Sequence, residues 1–191
     1  FRILNNHIHN AKTHQVDWQT ALAGEMSGNR FDNSDGALVL IDGQGTSNQV
    51  RSFRMVGNVF QECSEKAVIF YDVSNAYIES NYFENNNQSD AGGHYEISFL
   101  QGTSARKDGT VTLVNNYYSP GAATWTQTER AIYLESARYV QSIGDKMGSS
   151  AYNTYLETGN NVVHVEIIGG LFTNLASTNA VTRGSTTTTI N

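Results

Sequence analysis

Glu96, Glu135 and Glu157 sit in three short phrases, YEISFL, RAIYLE and YNTYLE, each mixing apolar residues with tyrosine. Two carboxyl groups are what glycoside hydrolysis requires: one protonates the leaving oxygen, the other serves as base or nucleophile. Retaining enzymes hold them roughly 5 Å apart, inverting enzymes about 6.5–9.5 Å. Neighbouring strands are spaced at roughly 4.8 Å, so acids in one outward column suit the first geometry one strand apart and approach the second two strands apart. Aligned phrase on phrase, Glu135 and Glu157 take matching outward positions and Glu96 lies one step earlier. Tyr133 and Tyr155 then face outward among them. Sugar faces stack on aromatic rings, which makes Glu96 and Glu135 the favoured catalytic pair. Asp32 and Glu84 form a runner-up pair in another outward column, separated by Gln61. The competing reading is a solvated acidic surface, since two adjacent carboxylates repel.

Two insertions bear on the same place. Residues 86–94 (NNQSDAGGH) and 119–129 (SPGAATWTQTE) leave the same corner of consecutive phrases, and are expected to wall a groove beside Glu96 and Glu135. They bring Asp90, His94 and Trp125 as substrate-binding candidates, with Trp125 the best sugar platform. His7, His9 and His14 suggest a metal trio, but no further ligand accompanies them, so neither metal nor cofactor is expected. The single cysteine, Cys63, excludes an internal disulfide framework and a thiolate-only zinc site, and reads as a small buried residue near a turn.

The elements that must position these residues show as a repeat. RILNNHI, EMSGNRF, RMVGNVF, YIESNYF and TLVNNYY recur along the chain, then decay into QSIGDKM and EIIGGLF. Asn6, Asn29, Asn58, Asn81, Asn116, Asp145 and Gly170 mark the phrase at intervals of 23, 29, 23, 35, 29 and 25 residues. Helical repeats hold their period. Coils of a β-solenoid need not, because extra residues leave as loops while the strands stay stacked. A second strand follows each turn: 36–41, 66–71, 95–100, 130–135 and 152–157. Alternation predicts Leu40, Phe70, Phe99, Leu134 and Leu156 as one inward column and Leu38, Val68, Ile97 and Ile132 as its neighbour. A third strand (50–53, 75–77, 110–111, 162–165) leads into the next asparagine. The expected fold is an all-β, right-handed parallel β-helix of about seven coils with three strands each, one domain over 1–191. Asparagines at one turn of successive coils can bond to their copies above and below. Asn10, Asn33, Asn85 and Asn174, with Glu62, form a second such column.

Composition agrees. Thr, Asn, Ser, Gly and Tyr are abundant, helix formers are sparse, and the one proline, Pro120, falls at a turn. A net charge of −6 without a basic stripe argues against nucleic acid. No apolar run is long enough for a membrane span, and no signal peptide opens the chain. Phe1 opens in mid-strand with no cap, so the chain is expected to be a segment of a longer protein. Val39, Ile41, Ile69, Tyr71 and Leu100 read as an outward apolar patch that lengthwise packing of three solenoids would cover, unless the register is off by one and they point inward.

VSNAYIESNYFENN (73–86) and FRMVGNVFQEC (53–63) resemble coils of the pectin-lyase-like superfamily of right-handed parallel β-helices. The Asn- and Tyr-rich style and ragged coil lengths are similar to bacteriophage tailspikes and related capsule depolymerases. That resemblance implies a homotrimer on the virion tail that binds, and usually cleaves, a bacterial surface polysaccharide. Fingerprints of other enzymes on the fold are missing: no Gly-His-Gly or Arg-x-Lys with paired Asp, no calcium-binding Asp cluster beside Arg and Lys, and no Asp-Pro-His. The expectation is therefore a tailspike-type receptor-binding glycosidase. A noncatalytic glycan-binding adhesin or structural solenoid is the alternative, as is a secreted polysaccharide lyase or hydrolase.

Overall fold

The computed structural model describes residues 1–19, 23–43, 50–86, 88, 95–100, 109–119, 129–148, 152–172, 181–183 and 189–190. All regular structure among them is β, and every strand pairing is parallel. Three sheets wind about one axis as a right-handed parallel β-helix of about seven coils. The first sheet stacks Arg2–Leu4, Ala23–Ser27, Ser52–Val56, Asn75–Glu79 and Thr110–Val114, and continues into the later halves of Glu129–Ile143 and Tyr152–Ile168. The second runs from His7–Ala11 through Arg30–Ser34, Val59–Cys63, Tyr82–Glu84, Tyr117–Ser119 and Lys146–Met147 to Leu171–Phe172. The third stacks Val16–Gln19, Val39–Asp42, Val68–Tyr71 and Tyr95–Leu100, then the earlier halves of the two long strands, then Val181–Arg183.

The corner between the first and second sheets repeats one conformation. Asn5, Gly28, Gly57, Ser80, Asn115, Gly144 and Gly169 all have positive φ, and the next residue in each case is the one marked by the repeat. This left-handed residue, which favours glycine and asparagine, reverses the chain and turns the following side chain inward. The asparagines then form a continuous ladder. The backbone N–H of Asn6, Asn29, Asn58, Asn81 and Asn116 donates to Oδ1 of the ladder residue in the next coil, at 2.6–3.0 Å. Each Nδ2 donates to the same oxygen and to a backbone carbonyl of the first sheet, such as Met26 for Asn58 and Met55 for Asn81. Asp145 ends the series: its Oδ1 accepts from Asn116, and its Oδ2 accepts from the hydroxyls of Ser142 and Tyr155. The second column is there too. Asn10, Asn33, Glu62 and Asn85 share positive φ, and Asn33 Nδ2 donates to Asn10 Oδ1; Asn174 lies outside the described residues.

The core is a set of columns along the axis. Phe31, Phe60, Phe83 and Tyr118 stack nearly parallel at 4.9–5.2 Å, and Phe70 lies over Phe99 at 4.6 Å. Gly24 makes room where these columns crowd: a Cβ there would stand 2.6 Å from the Phe53 ring and 2.7 Å from Trp18. At the first coil Phe1, Ile3, Ile8, Val16 and Trp18 line a cavity of about 500 Å³.

The third sheet corrects two predicted alignments. Val39, not Leu38, pairs with Val68 and Ile97, and Ile41, not Leu40, pairs with Phe70 and Phe99. Val39 and Ile41 are buried in the core rather than on an outward patch, whereas Leu40 faces out. Farther on, Leu156 pairs with Ile132 instead of Leu134, because the ladder between the two long strands shifts register at Glu129/Arg130.

Candidate functional site: the outer third sheet

The outward column of the third sheet reads Leu40, Ile69, Ser98, Tyr133, Glu157. Beside it run Asp42, Tyr71 and Leu100. Glu135 follows Leu134, the partner of Phe99, and so stands next along this second column. Tyr95 and Arg130, which pair with each other, sit where the sheet begins.

Four of these side chains form one knot. Arg130 Nε is 2.7 Å from the Glu157 carboxylate, and the Tyr95 hydroxyl donates to the same oxygen at 2.9 Å. Arg130 also donates to the Tyr95 hydroxyl at 3.1 Å and lies over its ring. The Tyr95 and Tyr133 rings meet at 4.9 Å, tilted by 32°. Burial first, then Glu157, pushes the Tyr95 hydroxyl up to about 12, despite the opposing pull of Arg130. Tyr95 therefore keeps its proton at neutral pH and acts as a donor, not a nucleophile. Tyr133 is raised too, by burial and then by Glu135 and Glu157. Glu135, Glu157 and Tyr133, all half-buried, thus share the outer face of the sheet.

Glu135 and Glu157 do not oppose each other, however. Glu157 pairs with Tyr133, two residues before Glu135 on the neighbouring strand. With strands roughly 4.8 Å apart and a rise of about 3.3 Å per residue, this diagonal separates their backbone positions by roughly 8 Å.

Glu96 and Tyr155 are corrected outright. Each belongs to a column, Leu38, Ala67, Glu96, Ala131, Tyr155, that is buried throughout. Glu96 is 4% exposed; its carboxylate accepts from Asn86 Nδ2 at 2.7 Å inside the solenoid. Tyr155 packs on Tyr118 and Phe172 and donates to Asp145. Strict alternation from Ser98 and Glu157 would send both outward, but they lie where the chain rounds into the third sheet and the backbone turns. Asp90, His94 and Trp125 lie outside the described residues.

The runner-up pair stands in the predicted register, Asp32 to Gln61 to Glu84, on the outer second sheet. Asp32 is engaged by Arg30 at 2.7 Å and His7 at 2.8 Å, contacts that hold its carboxyl below the usual range against the upward push of burial. Gln61 donates to Glu84. Next to them the half-buried Tyr82 and exposed Tyr117 rings stack at 5.5 Å. Among the described residues, no group of three or more His, Cys, Asp and Glu could hold a metal ion. His7 instead binds Asp32, and His9 contacts Asn10.

Compared with known proteins, the chain matches no protein-family model, no curated protein and no solved structure. Function therefore rests on the site itself.

Sequence reasoning missed Tyr95 and Arg130. Arg130 opens the phrase RAIYLE and Tyr95 opens YEISFL, so both were visible as strand-initial residues. Only the register, with Glu157 displaced by two, brings them to one carboxylate.

Proposed function

We propose that this chain is a tailspike-type carbohydrate-active β-solenoid that binds a bacterial surface polysaccharide across its outer third sheet and hydrolyses it. The observation that carries the reading is the diagonal placement of Glu135 and Glu157 beside the half-buried, outward-facing Tyr133, in contact with Tyr95. Glu157, which receives two donors, suits the base: Arg130 and Tyr95 fix its orientation. Glu135 is left as the acid. With backbone positions roughly 8 Å apart, the two side chains can place their carboxyl groups within the inverting range of about 6.5–9.5 Å, which leaves room for a water between carboxylate and sugar. A lengthwise homotrimer on a virion tail belongs to the same proposal.

Incubation with capsular or O-antigen polysaccharide, followed by proton NMR of the first fragments, tests it. Fragments should appear with inverted anomeric configuration, and Glu135→Gln or Glu157→Gln should each lower the rate by at least about 100-fold. Cleavage undiminished in both variants would remove these acids from the mechanism.

A second reading, binding without cleavage, is favoured by the engagement of Glu157 in an ion pair and a hydrogen bond. Retention of polysaccharide without fragments would select it.

A further inference from the structure

The outer face of the first sheet carries an array that the third sheet does not use. On three successive strands Asn75 pairs with Thr110 and Thr110 with Tyr139, while Tyr77 pairs with Thr112 and Thr112 with Gln141. Their neighbours Ala76, Val111 and Val140 are buried, so all six face outward. The threonines are short and their neighbours on both sides are tall. They floor a trough two strand spacings, roughly 9.6 Å, across. Each tyrosine turns one ring face to it. The Arg54 guanidinium lies over the Tyr77 ring at 5.7 Å from the strand before, which leaves the opposite face above Thr112. His164 stacks on Tyr139 at 5.1 Å from the strand after, 4° from parallel, which leaves the opposite face above Thr110. The Tyr139 hydroxyl donates to Glu166 at 2.6 Å and holds that ring upright. The two amides give their nitrogens away from the trough: Asn75 Nδ2 donates to the Arg51 carbonyl and Gln141 Nε2 to Glu166. The trough therefore meets their oxygens, together with the threonine hydroxyls. None of the six residues is charged. Contact with a wall takes about 3.5–4.0 Å, so walls roughly 9.6 Å apart are loose around a flat ring and suit a puckered one.

We propose that this trough is a second, noncatalytic glycan site that holds two consecutive uncharged pyranoses. One ring stacks on Tyr77 above Thr112, with Gln141 opposite; the next stacks on Tyr139 above Thr110, with Asn75 opposite. Sugar hydroxyls donate to Asn75 Oδ1 and Gln141 Oε1 and exchange bonds with the threonine hydroxyls. The trough anchors a polymer without cutting it, and does not depend on hydrolysis at Glu135 and Glu157.

NMR titration of the isotopically labelled whole chain tests it, with tetrasaccharides of glucose, galactose and mannose and with an oligogalacturonate. At least one neutral tetrasaccharide should shift the amide signals of residues 75–77, 110–112 and 139–141 together, with an affinity unchanged by salt. The oligogalacturonate should bind there at least about tenfold more weakly. Tyr77→Ala and Tyr139→Ala should each weaken the neutral sugar about tenfold, whereas Tyr77→Phe, which keeps the ring, should bind like wild type. Glu157→Gln should leave these shifts in place. Shifts confined to the third sheet, or binding lost in Glu157→Gln but kept in Tyr77→Ala, would overturn the second site and leave the third-sheet reading standing. Tighter binding of the oligogalacturonate would overturn the uncharged assignment, and no shift in the trough with any neutral tetrasaccharide would overturn the site.

Discussion

Asn81 gives protons to Asn116 and to the Met55 carbonyl, and its Oδ1 accepts two more from Asn58. Asn81→Leu would strand several of these buried groups at once. At about 1–3 kcal/mol for each polar group left without a partner, the variant should lose roughly 3 kcal/mol or more in denaturant unfolding; a loss below about 1 kcal/mol would mean the ladder is incidental. Asp145 behaves differently, because it carries a carboxylate where the other rungs carry amides. Burial raises its pKa above 3.8, although Tyr155, Asn116 and Ser142 pull the other way. Below pH 3.8 the group is protonated in both folded and unfolded chains. As pH rises the unfolded chain ionises first, so stability is lost until the folded group has titrated. Asp145→Asn keeps an acceptor for Asn116, while the hydroxyls of Ser142 and Tyr155 can rotate to accept. The variant should be more stable than wild type at pH 7, and that advantage should shrink towards pH 3.8. Unfolding midpoints across this pH range check the sign.

At the scale of strands and turns, the repeat was legible because a left-handed residue followed by an inward asparagine is a stringent local demand. Even the degenerate GD phrase obeys it: Gly144 has φ of 67° and Asp145 joins the ladder. Ser80 fills this left-handed position in the coil of Asn81, where two neighbouring coils use Gly57 and Asn115. Ser80→Gly should therefore stabilise the protein by up to about 1 kcal/mol, the scale of the left-handed penalty. Thermal unfolding would show it, and a lower midpoint would contradict the strain argument. The site was less legible. Residues 37–41 are apolar without a break, so nothing in ALVLI says which parity points inward. Alternation also fails where a strand meets a corner, which is why Glu96 and Tyr155 turned out to be buried. A register shift between the long strands then moved Glu157 opposite Tyr133. The acids were found by type, but the corners and the shift decided which of them share a face.

For the molecule as a whole, moving Val39 and Ile41 into the core removes much of the outward patch expected to join three copies. Among the described residues, exposed apolar side chains lie instead at both ends of the stack, and in the last coils Ile168 and Leu171 flank the Gly169–Gly170 corner at 44% and 55% exposed. A trimer joined there should dissociate on Leu171→Glu with Ile168→Glu, read as a fall to one third of the mass in sedimentation equilibrium. A wild-type monomer would remove the assembly from the proposal. The asparagine ladder, finally, gives the cylinder a sense of direction. Each ladder Oδ1 accepts from the coil before it, so a grafted turn bearing its own Asn can be spliced in anywhere between Asn6 and Asp145 without breaking the series. Past Asp145 the series has a carboxylate where a donor is needed, and Gly170 offers no side chain at all. Coils do stack beyond that stop, as Leu171–Phe172 and Val181–Arg183 do, but without the ladder's bonds, so a duplicated coil should add more stability upstream of Asp145 than beyond it.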